Sequence, residues 1–235
     1  SMYKKRLREG RFIKRLNRFV CLVDMGEVVP SPVHVPSSGR MAELLVPGAR
    51  VIVQQFGGDG NHKTKGRLLR VLYEGKSSSW VSVDSHLPNR LFSEAIVSQS
   101  LPQFRPYGEL RAEVTYGESR LDFLWRNGHS QALIEVKSVT LVKDGIALFP
   151  DAPTTRGTRH VKALMQGINE GYTSYLVFII QRGDAHLFSP NGRMDPAFAH
   201  VVSEAVETGV TVLAYDCGVS PTEVVLRKSV PVRLD

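Results

Sequence analysis

Through the first third of the chain, apolar and polar residues alternate over short stretches, the period of a half-buried strand. Stretches at 10–24, 27–29, 50–55, 65–73 and 79–83 read as strands, with Gly and Pro punctuation between them and no helical period to interrupt them. Five short strands in so small a module predict a partly open barrel. Near residue 86 the pattern changes. NRLFSEAIVSQSL carries Leu91, Ala95 and Ile96 at i, i+4, i+5 and predicts a helix. Three strands follow, at about 109–116, 119–126 and 131–138, joined by Gly-Glu-Ser and Asn-Gly-His turns. TTRGTRHVKALMQGINEGY then sets Val161, Leu164, Met165 and Ile168 on one face of a helix that starts near 157 and ends at Gly171. SYLVFII is a fully buried strand, and DPAFAHVVSEAVETG a helix with Asp195 as N-cap and Gly209 past its end. VTVLAYD and VVLRKSVPVRL add two strands. The order helix, strand meander, helix, strand, helix, strand predicts a mixed sheet flanked by helices.

At 235 residues there is room for two domains with separate cores, and the change of pattern divides them into 1–85 and 86–235. Hydrophobic and charged fractions of 42% and 23% are those of an ordinary globular protein. The run LVFII at 176–180 is far too short to span a bilayer, so no membrane partner is expected. The basic N-terminus is not followed by an apolar segment, so no signal peptide is expected either. Cys21 and Cys217 form neither a zinc pattern nor a disulfide framework, which points to a reducing cytoplasm.

Charge changes the picture more. Of the net +7, residues 1–85 hold 15 Lys/Arg against 7 Asp/Glu, whereas residues 86–235 hold 15 against 16. The excess lies in KKRLREGRFIKRLNRF and HKTKGRLLR. A charge run is usually a solvated face. Two such runs in one small module with few acids point instead to a polyanion partner, a nucleic acid. Lys63, Lys65 and Arg67 belong to the second run. Arg40, beside Gly39 in the SSGRM loop, is a candidate for phosphate contact, the alternative being an ordinary turn. Phe12, Phe19, Phe56 and Trp80 are either core residues or stacking platforms for bases.

Candidate chemistry enters at LIEVKS, residues 133–138, where Glu135 and Lys137 share one strand face and Ile134 and Val136 the other. One reading is a solvent-facing ion pair worth about 0–1 kcal/mol. The other is a metal-dependent phosphodiester site, with the carboxylate on a divalent cation and the lysine orienting the attacking water. The triplet alone does not decide, because Glu74 to Lys76 repeats it in LYEGKSSSW, a Gly/Ser turn preceded only by Asp59 of the GGDG loop. That copy reads as surface. The copy at Glu135 follows Asp122 by 13 residues and one hairpin, so two carboxylates and a lysine converge. Their mutual repulsion is what a Mg²⁺ or Mn²⁺ ion relieves through oxygen ligands. Glu113 in RAEVTYG is a candidate for the same place. Glu94, on the first helix, is a further acid that either reaches the metal or stays exposed.

An Asp, a hairpin, then Glu-x-Lys in a strand followed by a helix resembles the PD-(D/E)xK nuclease superfamily. HVPSSGRM (34–41), LPNRL (87–91), RLDF (120–123), IEVKSVT (134–140) and FPDAPTTRGTRHV (149–161) together resemble the sugar fermentation stimulation protein family, over essentially the whole chain. The resemblance implies a mixed α/β protein: an N-terminal small β-barrel, OB-like and nucleic-acid-binding, then a restriction-endonuclease-like α/β domain with a mixed central sheet. It implies DNA binding and sets the superfamily's Asp and Glu-x-Lys on Asp122, Glu135 and Lys137. Leu121 stands where the superfamily's usual proline precedes the aspartate.

On this reading Asp122 and Glu135 ligate one Mg²⁺ or Mn²⁺ with the Val136 carbonyl, Glu113 assists, and Lys137 positions the water. FPDAPTTRGTRH passes the same end of the site, which makes Arg156 and His160 candidates for contacting the nucleic acid, alongside Asp151 and Arg159. The alternatives are a turn role for Asp151 and a solvated first-turn position for His160. The expected function is a DNA-binding protein with a metal-dependent phosphodiesterase (nuclease) site. The alternative is a non-catalytic DNA-binding regulatory protein on a nuclease-like scaffold, and a third reading is an RNA- or single-strand-binding module. Cutting both strands of a duplex would call for a homodimer.

Overall fold

The computed structural model describes residues 6–37, 39–57, 63–105 and 108–234. Lys4 and Lys5 of the basic start, Ser38 of the SSGRM loop and Asp59 lie outside the described residues. The chain divides into two compact units, one of residues 1–86 with 181–183 and 218–225, the other of 87–180, 184–217 and 226–235.

Among the described residues, six strands build the sheet of the first unit: β1 Arg6–Asn17, β2 Val20–Asp24, β3 Ser31–His34, β4 Arg50–Gln55, β5 Gly66–Glu74 and β6 Ser78–Ser82. The stretch 10–24 is two strands rather than one, because Asn17 turns the chain: its Oδ1 accepts from the Phe19 and Val20 amides at 2.8 and 3.0 Å. No strand forms at 27–29, where Val28 and Val29 are exposed. The strand lies just beyond, at β3, and its pairing closes the sheet. In the order β3-β2-β1-β4-β5-β6, β3 also meets β5 at His34 and Arg67. β1 slips register after Phe12 and again after Arg15, irregularities that let a 12-residue strand bend around a small barrel. Phe12, Cys21, Val23, Val33, Val51, Leu68 and Val81 fill the interior. At Gly66 a Cβ would fall 2.5 Å from the Gln54 carbonyl oxygen, so β4 and β5 approach closely only with glycine there.

The second unit opens with α1 (Leu87–Val97) and a short 3₁₀ turn, Pro102–Phe104. β7 (Glu109–Tyr116), β8 (Ser119–Asn127) and β9 (Ser130–Val139) form an antiparallel meander. β10 (Leu141–Lys143) and β11 (Ile146–Phe149) follow, then α2 (Thr155–Asn169), β12 (Thr173–Ile180), β13 (Leu187–Pro190), α3 (Pro196–Thr208), β14 (Thr211–Val219) and β15 (Val224–Ser229). The main sheet runs β15-β14-β12-β9-β8-β7, with β12 parallel to both β9 and β14. A separate three-stranded sheet, β10-β11-β13, was not foreseen from the sequence.

β9 is a central strand covered on both faces, which is why Ala132 to Val136 are all buried. On one side α1 is fixed by aromatic contacts: Phe92 packs on Phe104 and Phe123, and Phe104 on Trp125 and Tyr175, with centroids 4.8–5.7 Å apart. On the other side α2 buries Val161 and Leu164, and its Gly167 sits against Leu133 of β9. Asp195 anchors both later helices. Its Oδ1 accepts from the Phe198 amide to cap α3, and its Oδ2 accepts from the amide of Thr154, the residue that caps α2. No helix among the described residues is long and apolar enough to cross a membrane.

Candidate active site

The β8–β9 ladder pairs Asn127 with Ser130 and runs as far as Phe123 with Ile134. One step further, Asp122 stands opposite Glu135, and here side chains take over the bonding. Glu135 Oε1 accepts from the Asp122 amide at 3.1 Å, and Asp122 Oδ2 accepts from the Val136 amide at 2.8 Å. Two carboxylates thus occupy the place where the strands part. From α1, Asn89 donates to Asp122 Oδ1 at 3.0 Å. From α2, His160 Nδ1 approaches Glu135 Oε2 to 2.7 Å, and Lys137 Nζ lies 2.8 Å from that same oxygen and 2.8 Å from His160 Nδ1. A carboxylate only accepts, so the Nδ1 contacting it carries the hydrogen.

Glu135 is 3% exposed and His160 6%. The solvent-facing ion pair is therefore ruled out for LIEVKS. Its repeat, Glu74 to Lys76, is exposed at the β5–β6 turn.

Electrostatics separate the two acids. Burial pushes the Asp122 carboxyl up to about 7, and the neighbouring Glu135 adds to the rise against the pull of the Val136 amide and Asn89. Burial acts on Glu135 in the same direction, but the His160 hydrogen bond and the Lys137 charge outweigh it and hold Glu135 at about 2. Near neutrality Asp122 therefore shares its carboxylate with a proton. Among the described residues no set of three or more His, Cys, Asp and Glu side chains forms a ready-made metal cage. The donors that do converge are carboxylate oxygens on strands that diverge, and their repulsion is held off by protonation. Such a set suits a hard divalent cation whose other ligands are carbonyl and water oxygens.

Glu113 is not brought to this place. Its backbone takes φ 59°, the left-handed region rare for glutamate, and its carboxylate pairs in solvent with Arg120 at 3.0 Å. Glu94 is likewise exposed, 3.8 Å from Arg90. His160 faces the carboxylate rather than a nucleic-acid surface. The helical period carried that signal, since His160, Leu164 and Gly167 at i, i+4, i+7 form the buried stripe of α2. Asn89 lies in LPNRL, one of the motifs that carry the resemblance, but no period marked it as a partner of Asp122. Arg156 is exposed in the first turn of α2. In the first unit Arg40, Lys63 and Lys65 are exposed, while Arg67 is taken up by Asp84 at 2.7 Å. Phe12 is buried at 2% exposure, whereas Phe19 and Phe56 are exposed at 54% and 39%.

Residues 13–83 match the domain family described as SfsA N-terminal OB domain, and residues 86–223 match the one described as Sugar fermentation stimulation protein RE domain. A sugar fermentation stimulation protein homolog of Desulforamulus reducens is 45% identical over 227 residues, spanning 96% of this chain and 92% of that protein. One from Natranaerobius thermophilus is 48% identical over 218 residues, spanning 91% and 88%. Among solved structures, Pyrococcus furiosus SfsA in complex with Ca²⁺ superposes with a TM-score of 0.87 at 29% identity, covering 99% of this chain and 98% of that one.

Proposed function

Given that the chain belongs to the sugar fermentation stimulation protein family, we propose that it binds DNA and hydrolyses phosphodiester bonds with a divalent cation, Mg²⁺ or Mn²⁺. The observation that carries the reading is the pair of half-buried Asp122 and buried Glu135, set side by side where β8 and β9 part, with Lys137 against Glu135. The Ca²⁺ complex of the Pyrococcus furiosus relative supports an oxygen-ligand site in this fold. Asp122, Glu135 and the Val136 carbonyl would hold the cation. When bound there, the cation would polarise the scissile phosphate and lower the pKa of a coordinated water.

The chain's own groups do the rest. Lys137 places a positive charge beside the phosphate and offsets the charge that develops in the transition state. His160, held on α2, fixes Glu135 Oε2 from one side while Lys137 fixes it from the other. Asn89 fixes the rotamer of Asp122. Exposed Arg40, Lys63, Lys65 and Arg156 supply salt-dependent phosphate contacts.

The test is incubation with labelled single-stranded, duplex and branched DNA and with RNA, in Mn²⁺ and in EDTA, beside Lys137→Ala. Cleavage that needs both Mn²⁺ and Lys137 supports the proposal. Tight, salt-sensitive binding with no product from any substrate would sink it and leave a DNA-binding protein without turnover.

A further inference from the structure

A cavity of about 300 Å³ lies between the turn of the β7–β8 hairpin and one stripe of α2. The helix wall is Arg159, Lys162, Ala163 and Gln166, spaced i, i+3, i+4, i+7 and so on a single face. This stripe neighbours the buried one that carries His160. The opposite wall runs from Tyr116 to Ser119. Tyr116 is fixed at its end of the cavity, its ring edge-on to Tyr172 at 5.4 Å and its hydroxyl bonded to Glu170. Ser119 precedes Asp122 by three residues on β8, about 10 Å at the usual strand rise. On the helix wall, Arg159 directly precedes His160, whose Nδ1 contacts Glu135 Oε2. The cavity therefore flanks the proposed reacting centre.

We propose that this cavity receives one unpaired nucleotide of the strand being cut, its base between the hairpin turn and α2 and its phosphate at Arg159 and Lys162. The inference rests on the nuclease reading and narrows its substrate to single-stranded or frayed ends. Size argues for one nucleotide, because the volume sits at the lower end of the roughly 300–1,000 Å³ typical of ligand sites. Charge argues for a phosphate, since Arg159 and Lys162 are both exposed cations at the rim. Tyr116, Ala163 and the Lys162 stem offer an apolar surface to a base, and Glu118 and Gln166 offer an acceptor and an amide to its edge. A base inside a duplex reaches such a pocket only by leaving its stack.

The experiment is photocrosslinking in EDTA, with single-stranded oligonucleotides carrying one iodouracil at successive positions and the matching duplexes. The expected result is an adduct on Tyr116 or the adjoining turn, from one or two positions of the single strand and not from the duplex. Ala163→Trp, which fills the cavity, and Lys162→Glu, an exposed change that leaves packing intact, should each lower that adduct about 10-fold or more. In Mn²⁺ the same variants should raise KM for single strands while kcat stays within about twofold. Adducts confined to the first unit, or unaffected by both variants, would overturn the proposal. So would a Tyr116 adduct abolished by micromolar thymidine monophosphate, because the cavity would then serve a free nucleotide. If the unaltered protein cuts nothing yet crosslinks at Tyr116, the nuclease reading falls and the cavity assignment stands. Cutting without that adduct has the reverse meaning.

Discussion

Asp122→Asn separates the cost of the half-buried carboxylate from its use. In the metal-free protein the Asp122 carboxyl titrates at about 7 against an ordinary 3.8, because burial and Glu135 disfavour its charge. Below pH 4 both folded and unfolded chains are protonated there, and the group has no effect on stability. Between pH 4 and 7 the folded chain keeps a proton that the unfolded chain has released. Each pH unit in that window then costs about 1.4 kcal/mol of stability. By pH 8 the full difference is present, roughly 4 kcal/mol. Glu135 does not blur this window. Its depressed value of about 2 adds stability that is complete above pH 4.5 and is lost only as pH falls toward 2. Asparagine keeps the acceptor for the Val136 amide and carries no charge. In EDTA, Asp122→Asn should therefore melt close to wild type at pH 4.5 and higher by roughly 10 °C at pH 8, taking 2–4 °C per kcal/mol for a chain of this size. Differential scanning fluorimetry across pH reads this directly. A gap between the two proteins that is the same at pH 4.5 and pH 8 would refute the argument. At pH 8, adding millimolar Mg²⁺ or Ca²⁺ should raise the melting temperature of wild type and leave Asp122→Asn unmoved.

Lys137→Ala should lower metal-dependent cleavage roughly 100-fold or more while DNA binding, measured by anisotropy, changes little. Glu113→Ala should cleave within about twofold of wild type in the same assay, because its carboxylate pairs with Arg120 in solvent. Replacing Lys63 and Lys65 together by alanine should flatten the salt dependence of single-strand binding by about 1.4 in log–log slope, near 0.7 per lost phosphate contact. Arg67→Ala should leave that slope unchanged, since Asp84 already holds the guanidinium.

What the sequence disclosed follows from the range of the interactions involved. Alternation fixed the faces of β8 and β9, and the apolar periods of α2 and α3 located both helices, so the mixed sheet was legible. β10, β11 and β13 are strands of three or four residues, too short for a period: β10 and β11 form a hairpin across Asp144-Gly145, a turn signal that passed unread, while β13 pairs with β11 across about forty residues, beyond any turn signal. The β1–β2 turn carried a signal in Asn17, but without glycine or proline it was absorbed into one long strand. At Glu113 alternation misled, because one left-handed residue turned the side chain out of the register that the rest of β7 keeps. His160 was misplaced for another reason. It was grouped with Arg156 because their segment passes the end of the site, whereas the helical period puts His160 on the buried face of α2 and leaves Arg156 exposed.

Two charges inside a buried strand now have a physical account. Glu135 and Lys137 offset one another, and His160 completes the shell around Glu135 Oε2. That part of the arrangement would stand as a structural ion pair. Asp122 does not fit such a description. The cations within reach are bonded to Glu135, and the groups bonded to Asp122 are the neutral Asn89 and Val136 amides, which leave its burial cost uncompensated. A chain built only for stability would do better with an amide at 122, as the pH argument quantifies. On the proposed reading the carboxylate becomes favourable when a cation takes the place of its proton, next to the point where the β8–β9 pairing ends. On that reading, the local cost of an ionised Asp122 is what a bound cation would relieve.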